Sequence, residues 1–259
     1  MRLVRVARPE GAAFGVVHAA DSGDVVELIT PHPFAQFTGT GQVAPLDKVK
    51  LLAPVIPTKI LAIGKNYADH AAEMGGDVPA EPLVFAKLPT TVIGPDDAIV
   101  LPPLSNEVHF EAELAVVIKR LVSQIPIERA MEAVLGYTCA NDVTARDLQA
   151  SDGQWTRAKG FDTFCPLGPW IETDLDVAAA GVQCRVNGEL HQDGNTRDLV
   201  FGIAQIVSHL SAFTTLLPGD VILTGTPAGV GPLVDGDIVE VSIDGIGTLR
   251  NPVSGLSLA

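Results

Sequence analysis

The feature that most constrains the fold is an apolar run that follows two closely spaced acidic residues. Leu114–Ile118 is entirely aliphatic and ends in β-branched side chains, which is typical of a buried strand. Glu111 and Glu113 precede the run at alternate positions, so their side chains point to the same face of a strand. Two adjacent carboxylates repel each other and are costly to remove from water. Such a strand needs either solvent or a cation on its acidic face.

A third acidic residue lies at the end of another predicted strand. Gly136–Ala140 is apolar and the sequence turns polar at Asn141 and Asp142. Carboxylate oxygens suit hard cations such as Mg²⁺, Mn²⁺ and Ca²⁺, so Asp142 is a candidate third ligand beside the two glutamates. Two alternatives stay open at this point. The glutamates could form a solvated surface pair, and Asp142 could cap the turn over 144–148.

The composition predicts a β-rich globular protein. The chain has 259 residues, is 47% hydrophobic, and distributes 25 Gly and 19 Pro among many short turns. A net charge of −14 makes nucleic acid an unexpected partner. No apolar run is long enough to cross a membrane. The three cysteines form no Cys-x-x-Cys pair, and the first residues lack the apolar segment of a signal peptide, so we expect reduced thiols and a cytoplasmic location.

The chain is predicted to divide at a proline-containing linker. Residues 1–53 contain three short strand-like segments and none of the candidate site residues. Two prolines within 53–57 mark the linker, and residues 58–259 form the larger, catalytic unit. We expect a helix over 198–210 and largely irregular structure over 155–169.

A histidine and a glutamate are spaced to share one face of a short helix. Asp69–Met74 is compatible with a helix that ends at Gly75 and Gly76. His70 and Glu73 are three positions apart, and a carboxylate beside an imidazole raises its basicity and selects its tautomer. An exposed surface pair would have the same spacing.

Four further polar residues are candidates for a site. Arg146 and Gln149 are one helical turn apart, and Lys159 stands among apolar neighbours. Thr226 lies in a glycine-rich loop that lacks the Lys-Ser/Thr of a P-loop, which argues against nucleotide binding and favours approach of an anionic group.

Five segments in order carry a resemblance to a known family. They are Gly64–Glu73, Glu111–Glu113, Asn141–Gln149, Ala158–Asp162 and Thr224–Gly231. The chain resembles the fumarylacetoacetate hydrolase superfamily, in its bacterial form with a short N-terminal domain, from about residue 59 to residue 253.

The resemblance implies a fold and a set of roles. The fold is a β-rich α+β mixed β-sandwich roll with a small β-rich N-terminal domain, usually as a homodimer. The cofactor is Mg²⁺ or Mn²⁺, with Ca²⁺ possible in crystals, and the substrates are small 2-oxo or diketo acids. The implied metal ligands are Glu111, Glu113 and Asp142; the catalytic residues are His70, Glu73 and Lys159; the substrate-binding residues are Arg146, Gln149 and Thr226.

The resemblance is compatible with more than one reaction. We expect hydrolysis of a C–C bond in acylpyruvate-like 2,4-diketo acids of aromatic catabolism, because a His–Glu pair suits activation of water. The alternatives are isomerisation of 2-hydroxyhepta-2,4-diene-1,7-dioate (the heptadiene dioate), decarboxylation of 5-carboxymethyl-2-oxo-hex-3-ene-1,6-dioate, and decarboxylation of oxaloacetate. A further alternative is a non-catalytic, cation-stabilised fold or a small-acid binding protein. The His70–Glu73 pair argues against it, because binding alone needs no general base.

Overall fold

The computed structural model describes residues 1–21 and 23–255, which contain twenty strands and four α-helices. The strands are β1 (Arg2–Val6), β2 (Ala13–His18), β3 (Val25–Thr30), β4 (Thr38–Pro45), β5 (Leu51–Leu52), β6 (Ile60–Gly64), β7 (Leu83–Lys87), β8 (Val92–Ile93), β9 (Ile99–Leu101), β10 (Val108–Phe110), β11 (Ala112–Ile118), β12 (Val134–Asn141), β13 (Thr144–Ala145), β14 (Cys165–Glu172), β15 (Gly181–Val186), β16 (Glu189–Asn195), β17 (Val221–Leu223), β18 (Gly231–Pro232), β19 (Ile238–Ile243) and β20 (Gly247–Gly255). The α-helices are α1 (Ala68–Glu73), α2 (Arg146–Asp152), α3 (Thr156–Lys159) and α4 (Ile203–Phe213), and short 3₁₀ helices span Leu46–Lys48, Pro89–Thr91, Ile127–Ala133 and Thr196–Asp198.

The strands form one large mixed sheet and two smaller ones. The large sheet has twelve strands in the order β4-β3-β2-β1-β14-β12-β11-β17-β6-β7, with β5 beside β1 and β8 beside β14. A five-stranded sheet has the order β16-β15-β19-β20-β9, and a three-stranded sheet has the order β13-β10-β18. The fold is therefore β-rich and mixed, as predicted.

Strand β11 is central because it is buried along its whole length. Leu114 and Val116 on one face join the largest apolar core, which also contains Val182 and Val241 of the five-stranded sheet. Ala115 and Val117 on the other face join a second core. A strand covered on both faces requires continuous aliphatic side chains, which is the pattern the sequence shows.

The second core shows that the large sheet curls around its own apolar face. Its members come from β1, β2, β3, β6, β11, β12, β14 and β17, all strands of that sheet, together with Ala53 and Val55. The first strand joins the centre of the sheet directly, since Arg2 pairs with Glu172 of β14. The two cores make a sandwich on one side of β11 and a roll on the other.

Two local predictions are wrong. The predicted helix over 198–210 starts later, at Ile203, because Asn195 accepts a hydrogen bond from the backbone of Arg197 and caps a separate 3₁₀ turn. The segment 155–169 contains α3 and the part of β14 up to Pro169, rather than mostly irregular chain. The three cysteines are buried and unpaired. None of the helices among the described residues has the length and apolar character needed to cross a bilayer.

A buried asparagine joins the turn after β6 to two distant segments. Asn66 is fully buried, and its amide donates to the carbonyl oxygens of Thr224 at 2.7 Å and Phe201 at 3.1 Å. Its side-chain oxygen accepts from the Phe201 backbone N–H at 2.8 Å. These bonds fix the start of α1 relative to the chain after β17 and the chain before α4.

Replacing Asn66 by Ala should lower the free energy of unfolding by about 2–4 kcal/mol, because three bonds are lost and backbone groups stay buried without partners. Urea unfolding measures this change. Asn106→Ala, at an exposed position, is the control and should change stability by less than about 0.5 kcal/mol. Equal stability of the two variants contradicts the structural role of Asn66.

Candidate active site

Two neighbouring strands bring three carboxylates together. Glu111 lies between β10 and β11, Glu113 lies in β11, and Asp142 directly follows β12. Ala112 pairs with Asn141 across the two strands. The Asp142 N–H donates to the Glu111 carbonyl at 2.8 Å, and the Glu111 N–H donates to the Asn141 side chain at 2.9 Å. One ligand oxygen from each acid lies within 4.8 Å of the others.

The carboxylates are buried and line a cavity of about 610 Å³. Glu111, Glu113 and Asp142 are 4%, 2% and 0% exposed, so the solvated-pair interpretation is excluded. The cavity walls carry every other site residue that the sequence predicts: His70, Glu73, Arg146, Gln149, Lys159 and Thr226. The structure thus places the predicted residues around one cavity.

Three buried cations compensate two of the acids. Lys159 Nζ donates to Glu111 Oε2 at 2.8 Å and to Asp142 Oδ2 at 2.7 Å. Lys87 Nζ donates to Asp142 Oδ1 at 2.6 Å, and Arg146 Nη2 donates to Glu111 Oε1 at 2.5 Å. Burial by itself raises the pKa of Glu111, but the charges of Lys159 and Arg146 outweigh it and hold that pKa well below its usual value.

Glu113 differs from the other two acids because no cation among the described residues pairs with it. It accepts a 2.6 Å hydrogen bond from the Gly225 N–H. Burial raises its pKa well above the usual value, and the charges of Asp142 and Glu111 raise it further. The donor set therefore fits a hard divalent cation: all donors are carboxylate oxygens, they converge, and one of them lacks a compensating charge.

His70 and Glu73 form the predicted pair on α1. His70 Nδ1 is 3.0 Å from Glu73 Oε2, and Glu73 Oε1 accepts from the Gly229 N–H at 3.0 Å. The second bond anchors the glutamate to the glycine-rich loop. With a proton on Nδ1 shared with the carboxylate, Nε2 is the nitrogen of His70 that can accept another proton.

The hydrogen-bond donors of the predicted substrate-binding residues are partly engaged by other groups of the protein. Arg146 Nη1 donates to Gln149 Oε1 at 2.8 Å, so these two side chains act as one unit. The Thr226 hydroxyl donates to the Ala112 carbonyl at 2.9 Å and accepts from Gln192 Nε2 at 2.7 Å. Its single proton is therefore engaged within the protein.

Sequence reasoning missed two buried residues that hold the site together. Lys87 ends β7 and is 2% exposed. In the sequence, the one feature that could indicate its role is its position at the end of an apolar strand. Gln192 is fully buried, and its Oε1 accepts from the Ala112 N–H at 2.8 Å, next to both glutamates. Its position in a hairpin strand carries no comparable signal, because most polar hairpin residues face solvent.

Comparison with protein families gives a match over most of the chain. The model for the fumarylacetoacetate (FAA) hydrolase C-terminal domain matches residues 59–254. The chain belongs to this family. A second family model, described as Rv2993c-like, N-terminal, matches residues 1–54.

Individual members of the fumarylacetoacetate hydrolase family are similar over nearly full length. The crystal structure of a 5-carboxymethyl-2-hydroxymuconate delta-isomerase from Mycobacterium smegmatis is 50% identical, with a TM-score of 0.93 and coverage of 99% of this chain and 100% of that one. Oxaloacetate tautomerase FAHD2B, mitochondrial, from Bos taurus is 40% identical over 98% of this chain and 91% of its own.

A third relative is similar to this chain and was solved with a metal ion. A maleylpyruvate hydrolase from Sphingobium sp. SYK-6, in complex with manganese(II) ion and pyruvate, is 34% identical with a TM-score of 0.81, covering 99% and 100% of the two chains.

Glu113→Gln should abolish binding of a divalent cation without destabilising the metal-free protein, because the amide oxygen can still accept the Gly225 hydrogen bond but the side chain is no longer an anionic ligand. Thermal unfolding with and without Mn²⁺ measures both effects. The wild type should gain stability with Mn²⁺, and Glu113→Gln should not. Glu189→Gln removes the same charge from an exposed position and should behave as the wild type. A Glu113→Gln protein that keeps the Mn²⁺-dependent gain contradicts the assignment.

Proposed function

We propose that the protein is a divalent-metal-dependent enzyme that tautomerises short 2-oxo dicarboxylic acids, with oxaloacetate as the test substrate. One observation carries the proposal. A histidine oriented by a carboxylate faces the same cavity as three convergent, buried carboxylates. The first group exchanges protons and the second holds a cation, and these are the two requirements of keto–enol chemistry.

Glu111, Glu113 and Asp142 would hold the cation, which is Mg²⁺ or Mn²⁺ by the hardness of the oxygen donors. When bound, such a cation acts as a Lewis acid that stabilises negative charge on the oxygen of a 2-oxo group.

The basic residues that pair with these acids have further N–H donors that the described hydrogen bonds do not use. Lys159 uses two of its three N–H groups on Glu111 and Asp142, which leaves one for the 2-oxo oxygen of the substrate. Arg146 directs three of its five N–H groups to Glu111, Gln149 and His109. The two that remain suit the adjacent carboxylate of a 2-oxo acid.

His70 moves the proton. In the enol-to-keto direction, the imidazole donates a proton from Nε2 to carbon 3, and the proton that leaves the enol hydroxyl replaces it on Nε2. Glu73 holds the ring through Nδ1. The reverse steps convert the keto form to the enol.

Tautomerisation and isomerisation use this one base, whereas hydrolysis also requires a positioned water. Relatives that cover nearly the whole chain at 40–50% identity carry tautomerase and isomerase names, which supports proton transfer over the hydrolysis expected from the sequence. Hydrolysis of acylpyruvate-like acids is the second candidate, because the 34% identical relative is named a maleylpyruvate hydrolase. Decarboxylation, homodimer formation, cytoplasmic location and a catabolic role stay predictions.

His70→Asn should slow the tautomerisation of oxaloacetate by about 10²–10⁴-fold, the usual contribution of a general base, while the Mn²⁺-dependent gain in thermal stability persists. The decay of enol absorbance gives the rate. His18→Asn, at a half-exposed histidine of β2, is the control and should retain full activity.

The same assay includes an acylpyruvate, the heptadiene dioate and a measurement of CO₂ release. If the wild-type protein with Mn²⁺ leaves enol decay at the uncatalysed rate but cleaves the acylpyruvate, tautomerisation is wrong and hydrolysis is right. Full activity of His70→Asn contradicts the role of the base.

A further inference from the structure

The turn between β6 and α1 holds a lysine that the chemistry described above does not use. Lys65 is half-buried and lines the same cavity as the carboxylates and His70. Its φ is +55°, a left-handed conformation that costs a residue other than glycine free energy and is concentrated at functional sites. The following Asn66 is fixed by its buried hydrogen bonds, so the backbone of Lys65 is held in place.

Lys65 differs from the other lysine and the arginine of the cavity wall. Arg146 pairs with Glu111, and Lys159 pairs with Glu111 and Asp142. Among residues 1–21 and 23–255, no carboxylate forms an ion pair with Lys65, although the cavity wall is rich in acids. A cation in such surroundings is available to a ligand.

The acids outside the metal triad are already partnered. Glu73 bonds to His70 and to the Gly229 N–H, and Glu107 lies 3.0 Å from His109 Nε2. Among the ionisable side chains in the described wall of the cavity, Glu113 and Lys65 are therefore the two that form no ion pair. Glu113 is suited to a metal cation, and Lys65 is suited to an anionic group of the ligand.

The Lys65 ammonium lies against a glycine just after the helix that carries His70. A Cβ added at Gly76 would be 2.3 Å from Lys65 Nζ, so only glycine leaves the ammonium in this position. This places the ammonium beside the residues that follow α1, and the described residues show no ion pair between it and the three carboxylates.

We propose that Lys65 binds the second carboxylate of the substrate and makes the site selective for dicarboxylic over monocarboxylic 2-oxo acids. The proposal rests on the proposed function in taking the substrate to be a 2-oxo acid. One end of the ligand is held near the acidic triad, and the carboxylate at the other end is held by Lys65.

Lys65→Met keeps an unbranched side chain that is one atom shorter and removes its charge. In the Mn²⁺-loaded protein, kcat/KM for oxaloacetate should fall about 10- to 100-fold, as expected for loss of a hydrogen bond to a charged group. The loss should lie mainly in KM, because Lys65 does not touch the reacting atoms. The rate for the 4-methyl ester of oxaloacetate, which lacks the second charge, should be unchanged.

Two further variants separate this role from a general effect of charge. Lys65→Arg keeps the charge and should retain most of the preference for oxaloacetate over its ester. Lys119→Met removes a lysine at an exposed position outside the cavity and should leave both rates unchanged. If Lys65→Met lowers both rates equally, or keeps the wild-type preference, the proposal is wrong.

A binding measurement tests Lys65 even if no tautomerisation is found. Calorimetry compares malate, which has the second carboxylate, with 2-hydroxybutyrate, which lacks it. The wild-type protein with Mn²⁺ should bind malate more tightly, and Lys65→Met should bind the two acids equally. Equal affinities for the wild type overturn the proposal. A clear preference for malate without turnover of oxaloacetate supports Lys65 and refutes only the proposed reaction.

Discussion

The structure of the site depends on the balance of charge around three buried carboxylates. Lys87, Lys159 and Arg146 compensate Glu111 and Asp142 through hydrogen bonds of 2.5–2.8 Å. Breaking a buried pair of this kind typically costs about 3–5 kcal/mol, because the remaining charge stays buried alone. These cations therefore hold the acids in place before any metal binds. Glu113 is left without such a partner among the described residues, and this is why we expect the cluster to bind a cation.

The sheet provides the rigidity that this balance requires. β11 is covered on both faces, and Ala112 faces Asn141 across the pairing with β12. Both cores pack against the strands that carry the acids. His70 and Glu73 lie instead on the short helix α1, which precedes Gly75, and both line the cavity. In the proposed reaction, the acids fixed on the sheet hold the cation near one end of the substrate, and His70 on α1 transfers the proton to carbon 3.

Particular residues show how far the sequence predicts this arrangement. The alternation of Glu111 and Glu113, and Asp142 at the end of a strand, correctly predict that the acids converge. The predicted metal role of these acids still awaits a measurement. Lys87 was missed because a lysine at the end of a strand usually reaches solvent, whereas here it is 2% exposed. Its burial follows from Asp142, a partner 55 positions away. Long-range pairings of this kind, like that of Gln192 with Ala112, depend on the tertiary fold, and the local sequence does not specify the partner.

The most direct test of this account is the position of a metal ion in a crystal. Crystals soaked with Mn²⁺ should show one strong anomalous peak enclosed by Glu111, Glu113 and Asp142, with Lys87 still paired to Asp142. A peak elsewhere in the cavity, or no peak while Glu113 stays bonded only to the Gly225 N–H, would contradict the claim that the uncompensated carboxylate creates the metal site.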